Sequence, residues 1–138
     1  MEVDHIAIAV KDIEKALEDF SILFGYQAFG PITINKRQKV KVAFARKENS
    51  IILKFIEPID DSSPIYSFVK KGGGLHHICF KCKNLEESIR HLTLNKARVL
   101  VPPEPGEAFD NGLISFLFVG HGVNVEIVED RFAPSHKK

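Results

Sequence analysis

An internal repeat constrains the fold of this chain more than any other feature of its sequence. An offset of 72 residues aligns the two halves. The matched pairs include His5 with His77, Lys11 with Lys83, Asp12 with Asn84, Phe44 with Phe116, and Lys54 with Glu126. A repeat of this kind indicates one supersecondary unit used twice, so both halves should show the same order of elements.

Hydrophobic periodicity predicts that order to be strand, helix and three strands. The first strand, Val3–Val10, alternates between a face with a histidine and small residues and a face with large aliphatics. Asp12 is expected to cap the next helix, which Gly25 ends. In the second half Asn84 is the expected cap, with Glu87 three residues on as in a capping box.

The remaining segments complete two βαβββ modules. Predicted strands cover Tyr26–Ile34, Val40–Arg46, Ile51–Glu57, Leu75–Lys83, Arg98–Val101, Leu113–Val119 and Val123–Glu129. A short helix around Ile65–Val69 should precede the run Gly72-Gly73-Gly74. Residues 102–112 are predicted to form a long loop at the mouth of the site.

We therefore expect an α+β fold in which two paired modules curve their sheets around a shared cavity. The single domain would span residues 1–132, with modules at about 1–60 and 73–132 and a crossover at 61–72. Residues 133–138 are expected to be a flexible tail.

Composition excludes several classes of function. The 138 residues carry a formal net charge of +1 with both signs interspersed, which argues against nucleic acid or an anionic membrane as partner. No apolar run approaches the length of a membrane span, and the N-terminus does not resemble a signal peptide. Cys79 and Cys82 are expected to be buried thiols in the reducing cytoplasm. The chain could be a monomer or a homodimer.

Four equivalent strand positions are the candidate site: His5, Lys54, His77 and Glu126. A buried charge needs a partner or a metal ion, so these side chains are expected to meet in the cavity. Two imidazoles and a carboxylate can bind Zn, Fe, Co, Ni or Mn and leave coordination positions open. His76 faces the opposite way and is expected to be structural.

Lys54 leaves two alternatives open. A protonated lysine has no acceptor and cannot ligate a metal ion. It could form an ion pair with Glu126 that replaces the metal. Alternatively, it could be neutral enough to act as a base or a carbonyl-binding group.

Three stretches of the sequence carry a resemblance to a known family. They are DHIAIAVKDIEKAL, EPIDDSSPIYSFVKKGGGLHHICFKCKNLEESI and NVEIVE. Together they resemble the vicinal oxygen chelate superfamily of glyoxalases, bleomycin-resistance proteins and dioxygenases, and within it the methylmalonyl-CoA epimerase branch. The resemblance implies a divalent metal held by His5, His77 and Glu126, with Lys54 where that branch has a fourth ligand.

The family chemistry implied is proton transfer next to a carbonyl, with Glu126 and Lys54 as catalytic residues. The expected substrate is a small carbonyl compound or thioester that passes through an enolate in an isomerase or lyase reaction. The alternative is a metal-free small-molecule binding protein of the bleomycin-resistance type, with a Lys54–Glu126 ion pair. The loop Pro105–Gly112 lacks the basic residues expected beside a CoA phosphate.

Overall fold

The computed structural model describes residues 1–106 and 112–130. Its strands are β1 (Glu2–Ala9), β2 (Gln27–Asn35), β3 (Val40–Arg46), β4 (Ile52–Pro58), β5 (Gly74–Cys82), β6 (Arg98–Gly106), β7 (Gly112–Phe118) and β8 (Asn124–Glu129). Its helices are α1 (Ile13–Phe24), α2 (Tyr66–Lys70) and α3 (Leu85–Leu94). This mixture of strands and helices confirms the predicted α+β class. In the part of the chain that the structure describes, every helix is too short or too polar to span a membrane.

The chain divides into two compact units. One unit is His5–His76, and the other joins Met1–Asp4 to the residues from His77 onward. In the first unit the strands follow the order β2-β3-β4-β1, and in the second the order β5-β8-β7-β6. In each unit the pair formed by its first and last strand is parallel, β1 with β4 and β5 with β8. The pairs within the three consecutive strands are antiparallel.

The unit His5–His76 has its apolar core between the sheet and α1. The buried residues are Ile13, Ala43, Ala45, Leu53 and Phe55, against which Ile6, Ile8, Val10, Ala16, Leu17, Phe20 and Tyr26 pack. The large aliphatic face of β1 therefore lies against the helix, as its alternation predicts. The Asp12 carboxylate accepts from the Lys15 N–H at 3.1 Å, and Gly25 ends the helix at a φ of 79°.

The second unit repeats this arrangement with α3. Its buried core residues are Cys82, Leu85, Leu117, Val125 and Ile127. The Asn84 side chain accepts a hydrogen bond from the Glu87 N–H at 2.9 Å, which confirms the predicted cap. One face of each sheet is thus covered by its own helix, and the opposite face carries the candidate site residues.

The glycine run before β5 makes a close backbone contact. Gly73 has a φ of 68°, which favours glycine, and its N–H donates to the Phe68 carbonyl at 3.0 Å. A Cβ at this position would clash with the Ala9 carbonyl oxygen. Residue 73 therefore has to be glycine for the backbone to pass this close to the end of β1.

The predicted loop at 102–112 is partly wrong. Residues 102–106 belong to β6, although three of them are prolines. They are tolerated because β6 lies at the edge of its unit, where one side of the backbone needs no ladder donors. Register shifts after Val99 and Val101 accommodate the missing N–H groups. Residues 107–111 and the predicted tail at 133–138 lie outside the described residues.

Candidate active site

A buried imidazole and carboxylate lie side by side in the unit that begins at His77. His77 Nε2 is 3.1 Å from Glu126 Oε1, and the two side chains are only 3% and 1% exposed. His77 lies on β5 and Glu126 on β8, which pair in parallel with Cys79 opposite Glu126. The alternation of each strand directs both side chains away from the helix-covered core. This arrangement confirms that the predicted charge in the last strand has a partner.

The surroundings of this pair are apolar. The ring of Phe116 lies edge to face with the imidazole of His77, with centroids 5.5 Å apart. Phe116 also stands opposite Glu126 in the β7–β8 ladder. A second apolar cluster of Cys79, Ile114 and Val128 adjoins Phe116. Interactions between charges are stronger in such a site than in water.

The unit His5–His76 carries the repeat-related residues in the same places. Lys54 of β4 stands opposite Ala7 in β1 and Phe44 in β3. His5 lies edge to face with Phe44 at a centroid distance of 5.9 Å, and Lys54 Nζ is 6.0 Å from the centre of the same ring. The His5 and Lys54 side chains are 0% and 3% exposed. In each unit, therefore, a histidine ring packs edge to face with a phenylalanine, and that phenylalanine is the register partner of the charged residue on the next strand.

Two donor atoms of the second unit are spaced as two ligands of one divalent metal ion would be. Bonds of about 2.0–2.2 Å from nitrogen and oxygen place neighbouring ligand atoms roughly 3–3.5 Å apart. His77 Nε2 and Glu126 Oε1 meet that spacing at 3.1 Å. The same distance also suits a hydrogen bond from a protonated Nε2 to the carboxylate. Buried potential ligand groups are therefore present, while the buried Lys54 stands where a fourth ligand was expected.

Cys82 and His76 are not among the potential metal ligands of the described residues. Cys79 and Cys82 are free buried thiols, as expected. Burial raises the pKa of Cys82, which keeps that thiol protonated. His76 lies edge to face with Phe68 at 5.7 Å, in keeping with a structural role.

Two carboxylates behind the site were not predicted from the sequence. Glu57 Oε1 accepts from the Ile13 N–H at 2.8 Å, and Glu129 Oε1 accepts from the Leu85 N–H at 3.2 Å. Each ties the end of the last strand of a unit to the first residue of its helix. The signal that could have revealed them is the repeat, since Glu57 and Glu129 are also 72 residues apart.

Residues 4–118 match the Glyoxalase/Bleomycin resistance protein/Dioxygenase superfamily. The chain belongs to this superfamily. The resemblance read from the sequence and the predicted glyoxalase-like fold are thereby confirmed.

Three curated relatives cover most of this glyoxalase-superfamily chain. The uncharacterized protein YqjC of Bacillus subtilis is 35% identical over 94% of the chain and 92% of its own length. The ethylmalonyl-CoA/methylmalonyl-CoA epimerase of Cereibacter sphaeroides is 32% identical over 75% of the chain and 77% of its own length. Bovine mitochondrial methylmalonyl-CoA epimerase is 31% identical over 71% of the chain, which spans only 56% of that protein.

Solved structures with a similar fold include methylmalonyl-CoA epimerases, which belong to the same branch of the superfamily. The methylmalonyl-CoA epimerase of Mycobacterium tuberculosis superimposes with a TM-score of 0.83 at 28% identity, covering 93% of this chain and 87% of that one. A methylmalonyl-CoA epimerase in complex with methylmalonyl-CoA and NH4+ has a TM-score of 0.81 at 26% identity, with 97% of both chains covered. The chain is therefore related to epimerases that act on CoA thioesters.

Proposed function

We propose that this chain is an epimerase-like enzyme that moves a proton next to the carbonyl of a CoA thioester. The observation that carries the proposal is the buried His77–Glu126 pair, 3.1 Å apart on the sheet face away from α3. Its support is the relation to methylmalonyl-CoA epimerases, one of which forms a complex with methylmalonyl-CoA. The substrate would be a small-molecule acyl thioester with an acidic hydrogen beside its carbonyl.

We propose that His5, His77 and Glu126 hold a divalent metal ion. Each is buried, and His5 occupies in its own unit the position that His77 occupies in the other. A bound metal ion would stabilise negative charge on the substrate oxygens. The role of these three side chains is to fix the position of that positive charge. Glu126 would be catalytic as the carboxylate ligand.

Lys54 is proposed as a second source of positive charge. Its ammonium has three donors and can hold an oxygen on which charge develops during proton removal. Its register partner on β1 is Ala7, which has a small side chain.

A second candidate function follows from the burial of Lys54. A cation only 3% exposed would repel a metal ion bound within a few ångströms, which favours a metal-free site. In that case Lys54 and Glu126 would balance each other as an ion pair, and the protein would bind a small molecule as bleomycin-resistance proteins do.

Three further expectations from the sequence stay predictions. They are the single-domain organisation over residues 1–132, the cytoplasmic location and the homodimer.

The deciding experiment measures metal content and proton exchange on the same samples. We expect purified protein to hold close to one divalent ion per chain and His77→Ala to lose it, with His91→Ala as a matched control on the exposed face of α3. We also expect the wild type to exchange the α-hydrogen of methylmalonyl-CoA in deuterated water. Folded protein that exchanges but lacks metal, and is unaffected by a chelator, would leave Lys54 as the cation. Absence of exchange would reject the enzyme in favour of the binding protein.

A further inference from the structure

Positive charge is concentrated in one segment of the chain. Residues 20–47 contain six of the 19 basic residues and none of the 18 acidic ones. The rest of the chain therefore holds 13 basic against 18 acidic side chains and is net −5, whereas the segment is +6. The six cations are Lys36, Arg37, Lys39, Lys41, Arg46 and Lys47. They lie on or next to the hairpin of β2 and β3, and residues 27–47 are called the basic hairpin below.

The turn of the basic hairpin holds its cations in a fixed place. The Asn35 side chain, only 7% exposed, accepts a hydrogen bond from the Gln38 N–H at 3.0 Å. The Lys39 carbonyl accepts from the Ile59 N–H at 3.0 Å, which ties the turn to the residue after β4. Every cation of the hairpin except Lys41 is exposed. A turn that is already ordered loses little conformational entropy when its cations bind an anionic partner.

The strand that leads into this turn offers a backbone edge without charge. Within the described residues β2 pairs on one side only, with β3, and it contains no ionisable side chain. Pro31 and the register shift between Phe29 and Thr33 interrupt the strand, and regular pairing resumes beside the turn. There Ile32 and Ile34 are 41% and 53% exposed. An edge of this kind, which charged side chains usually protect, is open to an added strand.

The two isoleucines also line a pocket of about 530 Å³ in the same unit. The start of α1 forms another part of its wall. Charged residues of the lining are engaged locally, because Glu57 lies 3.5 Å from the Lys41 ammonium and Asp12 caps α1. Alternate residues of a strand point to one face, so an apolar side chain of an added strand can enter the pocket beside the isoleucines.

We propose that the open edge of β2 binds an extended acidic segment of a partner protein. Backbone groups of residues 32–35 pair with that segment, one of its apolar side chains enters the pocket, and its carboxylates meet the cations of the turn. A second copy of the chain fits poorly, because both ends of the hairpin are cationic and like charges would meet in either strand direction. A nucleic acid has neither a strand for the edge nor an apolar side chain for the pocket. The proposal goes beyond the proposed function and uses none of the proposed metal ligands.

The test selects random linear peptides, displayed on phage, against the immobilised full chain. We expect the enriched sequences to alternate acidic residues with β-branched or other apolar residues. The most enriched peptide then serves as the probe in fluorescence anisotropy with the protein in solution. Failure to enrich any sequence, or enrichment of neutral or basic sequences, would overturn the proposal.

Charge variants locate the bound peptide. We expect Lys36→Gln/Arg37→Gln to bind it at least about tenfold more weakly, because two charge-assisted contacts are lost. The control Lys70→Gln/Lys71→Gln removes the same charge from exposed positions outside the hairpin and should change the affinity less than about twofold. Thermal unfolding of each variant checks that it folds. Equal weakening in both doubles would reduce the effect to net charge and reject the hairpin as the docking site.

A variant of the edge tests the apolar contact without changing charge. Ile34→Ser should weaken peptide binding about fivefold or more, because it removes apolar surface that the peptide would bury. Ile22→Ser, at a position that is 73% exposed on α1, is the control and should leave the affinity unchanged. If the two variants bind the peptide equally well, the edge of β2 is not where it lies.

Other occupants are separated in the same assay. Tighter binding of single-stranded oligothymidylate or of vesicles with anionic lipid than of the peptide would make the hairpin a general anion-binding surface and overturn the proposal. Displacement of the peptide by methylmalonyl-CoA would assign the cations to the substrate instead. A wild type that sediments as a dimer while Ile34→Ser sediments as a monomer would make a second copy the occupant.

Discussion

The carboxylate of Glu57 accepts a hydrogen bond from the backbone N–H of Ile13 at 2.8 Å, across 44 residues of sequence. Glu129 and Leu85 repeat this bond at 3.2 Å over the same separation. In both cases a negative charge meets the first residue of a helix, where backbone N–H groups lack partners within the helix. The strand that carries a charged site residue on one face is thus tied to a helix by its other face.

Replacing Glu57 should weaken the first unit. Glu57→Ala removes the acceptor for Ile13 and the 3.5 Å ion pair with Lys41. We expect a loss of about 1–2 kcal/mol in the free energy of unfolding, as for a lost helix cap. Urea denaturation measures it, with Glu18→Ala on the exposed side of α1 as control. A loss no larger than that of the control would show that the bond contributes nothing.

A methyl group at Gly73 should destabilise the protein more than one at Gly72. Gly73→Ala would push a Cβ into the Ala9 carbonyl oxygen, whereas a Cβ at Gly72 meets no atom within 4 Å. Both residues have positive φ, so both variants are strained, and only the first adds a clash. We expect a loss of roughly 2–4 kcal/mol for Gly73→Ala and about 1–2 kcal/mol for Gly72→Ala. Thermal unfolding that ranks the two in the reverse order would contradict the close contact.

Exchanging the charge at position 54 should strengthen metal binding. Lys54→Glu replaces a buried cation with a ligand, while Lys54→Met removes the charge without adding one. We expect affinity for Co²⁺ or Zn²⁺ to rise from wild type to Lys54→Met and further to Lys54→Glu, by about tenfold or more overall. Competition with a chelating dye measures it. If the affinity of all three proteins is the same, position 54 does not face the metal ligands.

The two thiols should resist modification in the folded protein. Cys79 and Cys82 are 0% and 7% exposed, and burial raises the pKa of Cys82 above that of an ordinary cysteine. Since the thiolate is the reactive form, labelling of Cys82 should begin at higher pH than for a free thiol. We expect reaction with a disulfide reagent at pH 8 to be at least about tenfold slower than in denaturant. Rapid labelling of the native protein would mean that β5 opens readily.

The features predicted correctly from the sequence are those encoded locally or by the repeat. Asp12, Gly25 and Asn84 mark helix ends because each acts on backbone groups within a few residues of itself. The repeat singles out Glu126 and His77, because it places a charged residue and a histidine at equivalent positions of otherwise apolar strands, and the structure shows the two in contact, whereas their role in a site stays a prediction. These side chains lie on adjacent parallel strands, so their contact follows once the topology is right.

The features missed depend on tertiary context. Nothing near Glu57 in the sequence shows that it reaches a helix 44 residues away. The prolines of β6 are typical of a loop, and only the position of that strand at an edge makes them compatible with a sheet. The pocket beside Ile34 combines an edge strand with the start of α1, which periodicity alone does not place together.

The proline-rich part of β6 has a consequence for the behaviour of the protein at high concentration. An edge strand with a full row of N–H and C=O groups is a template on which other chains can add a strand and aggregate. Pro102, Pro103 and Pro105 remove three N–H donors from β6, and because successive residues point their N–H groups to opposite sides of a strand, part of this loss falls on the free edge. The irregular register with β7 further disturbs the flat edge that such an addition requires. The same residues that make this strand look like a loop thus protect it against fibril-like growth.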